Sequence, residues 1–189
     1  MSKAFNPENH AKLSSDERKK LLPPDKILNM MNLKKREVLL DVGAGKGYFA
    51  IPALELVGEK GLVIAADISG KMLDLLLNDS GKKSNLQTIL CDRDNIAVKA
   101  DSVDKVLMSV VLHEVDNAVE YLKMLKNLLK KSGHLFIIEW NPGADGMGPP
   151  EHERISKNNL EKFLIQAGYT IQHFEDINPY QYFCEAKVN

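Results

Sequence analysis

Leu39-Leu40-Asp41-Val42-Gly43-Ala44-Gly45-Lys46-Gly47 decides how the rest of this 189-residue chain is read. It opens as an apolar run with one carboxylate in it, the pattern of a buried strand, and ends in a glycine-rich turn. A helix is predicted over 48–57. Glycines at 43, 45 and 47 allow positive φ and leave no side chain between the main chain and a ligand. Free N–H groups at the start of the following helix would favour electron-rich atoms there. A dinucleotide fingerprint, G-x-G-x-x-G, would need its third glycine at position 48, and that residue is Tyr48. The spacing here is D-x-G-x-G-x-G, which disfavours an NAD-dependent oxidoreductase.

Working outward, Pro23-Pro24 opens a short helix over 25–31. Strands are predicted at 38–42, 62–66, 86–91, 103–110 and 135–138, with helices at 48–57, 71–78, 118–129 and 156–167. Ser69 is read as the cap of the 71–78 helix and Gly81 as its stop. Two strands, 170–174 and 182–187, finish the chain around the turn Asn178-Pro179-Tyr180. Strands separated by helices of about ten residues imply βαβ units and a sheet covered on both faces. The fold class expected is α/β: a Rossmann-like three-layer sandwich whose mostly parallel seven-stranded sheet has an antiparallel last strand. A single domain over 1–189 is expected, with 1–32 a helical extension over the cleft.

A net charge of −1 argues against a nucleic-acid partner. The basic runs, Arg18-Lys19-Lys20 among them, are read as solvated charges near helix ends. Cys91 and Cys184 are too few and too scattered for a disulfide framework or a zinc site, so the expected compartment is the reducing cytoplasm. No run of 18 apolar residues suggests a membrane span. A monomer or homodimer is expected.

In an open α/β sheet the ligand lies beyond the carboxyl ends of the strands. The first strand ends in the glycine loop. The second ends at Asp67, twenty residues after Gly47, where a carboxylate can accept two ribose hydroxyls. The third ends at Cys91-Asp92-Arg93 and the fourth at Ser109-Val110, followed by Leu112-His113-Glu114.

Taken in order, these strand ends resemble the class I S-adenosylmethionine-dependent methyltransferases over roughly residues 36–140. Gly148-Pro149-Pro150-Glu151, Ile155-Ser156 and Gly168-Tyr169 further resemble the small ubiquinone/menaquinone-type C-methyltransferases, as do Phe5-Asn6-Pro7 and Leu22-Pro23-Pro24. The resemblance implies S-adenosylmethionine as cofactor. By it, Asp41 and the amides of Gly43, Ala44, Gly45 and Gly47 would hold the methionine end. Asp67 would bind the ribose diol and Ile68 would pack on the adenine. Asp92 and the Arg93 amide would meet the adenine edge, and Ser109 would border the methionine portion.

His113 and Glu114 are the acid–base pair nearest a strand end and are the candidate catalytic residues; the alternative is that they orient their loop and cap the next helix. Tyr48 and Phe49 read as packing at the cofactor edge. Trp140 could line an acceptor pocket or close the core, and Met147 with the 143–150 loop could form a lid or a plain surface loop. No metal is suggested. Position 109–112, Ser-Val-Val-Leu, lacks the Asp/Asn-Pro-Pro-Tyr/Phe motif that resembles amino-methylating nucleic-acid enzymes, so a small-molecule acceptor is expected. The alternative from another class is a non-catalytic nucleotide-binding module.

Overall fold

The computed structural model describes residues 16–144 and 146–188. Its seven strands form one sheet in the order β3-β2-β1-β4-β5-β7-β6. β1 (Val38–Val42), β2 (Leu62–Asp67), β3 (Leu86–Leu90), β4 (Val103–Ser109) and β5 (Leu129–Trp140) are parallel; β7 (Gln181–Val188) lies antiparallel between β5 and β6 (Tyr169–Asn178). This is the mostly parallel sheet with an antiparallel last strand that was expected. The chain winds outward from β1 to β3 and then returns to β4 on the other side of β1. That reversal opens a crevice at the carboxyl ends of β1 and β4.

The sheet is apolar on both faces because both are covered. Leu40, Val42, Val106 and Ile137 point into a core with α5 (Ala118–Leu128) and α6 (Lys157–Ala167). Leu39, Val63, Leu107 and Phe136 point the other way, against α2 (Pro24–Met30), α3 (Ala50–Val57) and Leu76 of α4 (Gly70–Asp79). Alternate residues of one strand thus serve opposite layers. Ser156 and Gly168 bracket α6 as cap and left-handed stop. Asn117, rather than His113 or Glu114, caps α5 by accepting the Glu120 N–H.

Several boundaries move. The helix after the glycine loop starts at Ala50, not at 48. Gly43, Gly45 and Gly47 all have positive φ, so regular helical dihedrals begin only beyond them. Pro52 then falls in the first turn, where a missing N–H costs little. β2 includes Asp67, which pairs with Leu90. β5 begins at Leu129 because Leu129 pairs with Val103 before the register shifts and His134 meets Lys105. Ser132-Gly133 is therefore irregular strand rather than a lead-in turn, and a Cβ at Gly133 would stand 2.8 Å from Leu129 Cδ2. β6 runs on to Asn178 because β7 pairs with it that far, which reduces the hairpin connection to Pro179-Tyr180. No helix of the described residues is long and apolar enough to cross a membrane.

Candidate functional site

The crevice holds a cavity of about 470 Å³. Its floor is the end of β1 and the glycine loop. Gly43 and Ala44 both donate their N–H groups to Ala66 O, which ties the loop to β2. The Gly45 N–H donates to Asp67 Oδ2 at 2.8 Å, and the Ser69 N–H to Asp67 Oδ1 at 2.8 Å. One carboxylate therefore fixes the glycine loop and the entry to α4 together. Ser69 does stand at the α4 N-cap, but its hydroxyl makes no capping bond; the Met72 N–H donates to the Ser69 carbonyl. Burial raises the Asp67 pKa, while the Ser69, Gly45 and Ile68 amides pull it back down.

Most residues singled out from the sequence converge on this cavity. Asp41, Gly43, Ala44 and Gly45 line it from the first strand and its loop, and Asp67 and Ile68 from the end of β2. Asp92 and Arg93 line it from the loop after β3, and Ser109 from the end of β4. Ile68 leaves 47% of its surface exposed, an apolar face presented to the opening. Gly47 is different. It is not a wall residue, and a Cβ there would lie 2.9 Å from Ile51 Cγ1 and from Leu76 Cγ. Its missing side chain lets α3 and α4 approach; nothing in its position serves the cavity directly.

Two buried polar atoms in the wall lack hydrogen-bond partners: Asp41 Oδ2 and Ser109 Oγ. An unpaired buried acceptor is costly, and in a cavity wall it is a place for a ligand donor. Burial, with the neighbouring Asp67 charge, pushes the Asp41 carboxyl up to about 7; Arg18 and the Ala50 amide oppose that rise. Next to Ser109, Val110 has φ +54°, a left-handed conformation that a β-branched residue rarely adopts. Its N–H is held by Ile138 O at 2.8 Å.

His113 and Glu114 part company. Glu114 lines the cavity. His113 is not a wall residue: its Nδ1 lies 2.9 and 3.1 Å from the two oxygens of Glu139, and its N–H donates to Glu139 Oε1. Glu139 also accepts the Trp140 N–H and is fully buried. Burial is the largest single influence on the imidazole and favours its neutral form. Glu139, Glu114 and Glu153 together outweigh it and raise the pKa above the ordinary histidine value.

The sequence reading missed two arginines. Arg18, grouped there with solvated charges, lines the cavity with its guanidinium 4.2 Å from the Tyr48 ring centroid. Its signal was the basic run itself, and only packing separates it from Lys19 and Lys20. Arg154 donates to the carbonyls of Asn141, Ala144, Pro149 and Met147, gathering the segment after β5 around one side chain. Glu151 takes the Gly143 N–H at 2.9 Å, and Gly148 lies against the Trp140 ring. The 143–150 segment is thus a bonded loop, and Trp140 is its packing surface. Tyr48 and Phe49 both line the cavity, edge to face at 5.0 Å.

Residues 40–137 match the profile of the family described as "Methyltransferase domain". The chain is 31% identical over 106 residues to the ubiquinone/menaquinone biosynthesis C-methyltransferase UbiE of Vibrio vulnificus, spanning 54% of this chain and 41% of that protein. It is 29% identical over 153 residues to the UbiE of Blochmanniella pennsylvanica, spanning 79% of this chain and 58% of that one. The chain thus spans less than two thirds of the length of these curated relatives. Among solved structures, a SAM dependent methyltransferase from Aquifex aeolicus is similar along nearly the whole chain. The TM-score is 0.92 at 28% identity, covering 98% of this chain and all of that one.

Proposed function

Because this chain belongs to the methyltransferase domain family, we propose that it transfers the S-methyl group of S-adenosylmethionine to a small-molecule acceptor. The observation that carries this reading is the set of polar groups around one cavity. Asp67 stands at the end of β2, and the unpartnered Asp41 Oδ2 and Ser109 Oγ belong to residues lining the same space. Partners are what these atoms lack, and an aminoacyl tail and a ribose supply polar ones. Gly43 and Gly45 keep the floor free of side chains, while Ile68 offers an apolar face for the purine. Asp92 and the Arg93 amide are assigned to its edge.

When bound, S-adenosylmethionine supplies a methyl group already activated by a positively charged sulfur. The protein's work is to orient an acceptor and exclude water, and orientation alone can lower such a barrier by roughly 7–11 kcal/mol. The Tyr48 and Phe49 rings and the strained Val110 turn shape the space around the methionine end. Among the carboxylates of the wall, Glu114, which follows the end of β4, is assigned to take a proton from an acceptor. His113 acts through Glu139 as a positioning residue, fixing the Leu112–Glu114 turn that presents Glu114. Among acceptors, a ring carbon of a ubiquinone- or menaquinone-type precursor is favoured by the similarity to UbiE.

Titration calorimetry with S-adenosylhomocysteine tests the cofactor, and the folded protein should bind it saturably. Failure to bind at millimolar ligand overturns the reading. With the cofactor established, transfer of radiolabelled methyl to a panel of phenols, quinols and amines identifies the acceptor. Glu114→Gln should then lower kcat while leaving cofactor affinity within a few-fold.

A further inference from the structure

β3 (Leu86–Leu90) closes the sheet at one margin and β6 at the other, so each has one side unpaired among the described strands. The two margins are built differently. β6 is broken by two register shifts and carries His173, Glu175 and Asp176, the kind of bulges and charges that keep an edge from pairing with another chain. β3 has neither. Its sequence, Leu-Gln-Thr-Ile-Leu, holds no charge and no proline, and it pairs with β2 in unbroken register from Leu86 to Leu90. It ends on Leu90, which leaves 66% of its surface exposed, more than any other large apolar residue described.

The ladder with β2 fixes what this margin offers. The Val63 N–H donates to Asn85 O at 2.9 Å, and the Cys91 N–H to Asp67 O at 3.1 Å. In a parallel pair, residues of one strand alternate between turning both backbone groups to the neighbour and turning both away. The odd-numbered residues of β3 therefore face β2, and Leu86, Thr88 and Leu90 present their groups outward. The Leu86 N–H is taken by Lys83 O in the turn before the strand. Among the described residues, no hydrogen bond reaches the outward groups of Thr88 and Leu90.

A two-fold axis through Thr88 sets this row against a second copy of itself. Thr88 then meets Thr88, and Leu86 meets Leu90 on either side of it, all in hydrogen-bonded positions because these repeat every second residue. The three side chains share one face, so each exposed Leu90 packs on the other copy's Leu86, itself half-buried against the core under α3 and α4. Charge agrees with the antiparallel direction. β3 is entered through Lys82-Lys83 and left through Asp92-Arg93-Asp94, all exposed, so the basic entry of one copy lies beside the net acidic exit of the other. An unrelated extended peptide would fill the hydrogen bonds alone; the self-complementary order of apolar and charged groups favours a second copy of this chain.

We propose that the protein self-associates through β3, two copies pairing antiparallel about Thr88 into one continuous sheet. The contact is isologous and narrow, one strand from each side, and belongs with dimers that form and dissociate readily. It sets the Lys82-Lys83 turn of each copy beside the loop that lines the other's cavity.

Analytical ultracentrifugation from about 1 μM to about 1 mM should show a monomer–dimer equilibrium in wild type. Leu90→Lys supplies the charge that guards other edges, and Thr88→Pro deletes an outward N–H that β2 does not use. Each should raise the dissociation constant by about tenfold or more, because a two-fold dimer carries the change twice, while the circular dichroism stays that of wild type. If Thr88→Pro does not fold, Leu90→Lys, at an exposed side chain, carries the test. Register is read by mild oxidation of cysteine variants in a Cys91→Ser background, since Cys91 is the partly exposed native thiol. Thr88→Cys should link into a disulfide dimer, its paired Cα atoms standing about 5.5 Å apart. Gln87→Cys should not, because on this register its copies lie roughly 8 Å apart, beyond disulfide reach. A wild type that stays monomeric throughout the range overturns the proposal. So does a dimer that Leu90→Lys leaves intact, or one that links through Gln87→Cys and not through Thr88→Cys.

Discussion

Nδ1 of His113 lies 2.9 Å from Oε2 of Glu139, a carboxylate with none of its surface exposed. The same glutamate accepts the His113 and Trp140 amides, so it joins the ends of β4 and β5 behind the cavity wall. Removing one partner of a buried pair leaves the other charge without compensation. His113→Ala should therefore lower stability by about 3–5 kcal/mol in urea denaturation. Affinity for S-adenosylhomocysteine should stay within a few-fold, because neither residue lines the cavity. A variant as stable as wild type would show that the pair contributes nothing.

The pair also sets a pH dependence. The folded His113 pKa is raised, so the folded state binds its proton more tightly than the unfolded one. The stabilisation from that proton is complete below the unfolded value near 6.5 and is lost as pH rises through the raised folded value. His113→Ala should accordingly cost more at pH 6 than at pH 9, as measured by thermal unfolding at each pH.

Asp41 moves in the same sense over a lower window. Its pKa rises from 3.8 to about 7 on folding. The folded protein thus favours the neutral carboxyl, and stability falls between about pH 4 and pH 7, where the unfolded chain has released this proton and the folded one keeps it. Asp41→Asn, which cannot titrate, should gain stability over the ligand-free wild type across that window, reaching about 4 kcal/mol above pH 7. Its cofactor affinity should fall at the same time. A constant stability difference from pH 4 to 8 would mean that Asp41 is ionised throughout.

Asp67 holds the glycine loop to the entry of α4 and, in the proposed function, binds the ribose; Asp67→Ala should test both. Losing the bonds to the Gly45 and Ser69 amides should destabilise the ligand-free protein by about 1–3 kcal/mol. Losing charge-assisted bonds to ribose should weaken S-adenosylhomocysteine by a further 1.5–3 kcal/mol, roughly, for each bond. Unchanged affinity would move the ribose elsewhere.

Arg154→Ala should release the Asn141, Ala144, Met147 and Pro149 carbonyls together. Its guanidinium is mostly buried, with 6% of the side-chain surface exposed. Limited proteolysis should find a new cleavage site between residues 141 and 154 under conditions where wild type is intact. Resistance equal to wild type would show that the loop is held by Trp140 and Glu151 alone.

How far the sequence could be read differs between the wall of the cavity and what stands behind it. The glycine loop, Asp67, Asp92 and Ser109 were legible because each ends or follows a strand, and strand ends in such a sheet share one edge of the molecule. Apolar runs located the strands, although β5 and β6 are longer than their apolar stretches because pairing with β4 and β7 carries polar residues along. Side-chain direction was not legible. Adjacent residues His113 and Glu114 turn to opposite sides within one short turn, and nothing in their order shows which meets the cavity. Arg18 was hidden for a related reason: its partners, Tyr48 and Asp41, are distant in sequence. Residues 1–15, which carry Phe5-Asn6-Pro7, lie outside the described residues, as does that part of the expected 1–32 extension.

The bond from Asn178 to the Leu21 carbonyl spans 157 positions of the chain. Helix α1 (Asp16–Leu21) precedes β1 in the chain, yet the bond that anchors its last residue comes from the β6–β7 hairpin, which follows α6. Until β6 and β7 have paired, the turn bearing Arg18 lacks the Asn178 bond to the Leu21 carbonyl. The part of the cavity wall that Arg18 supplies therefore gains its full anchorage only once that hairpin has formed.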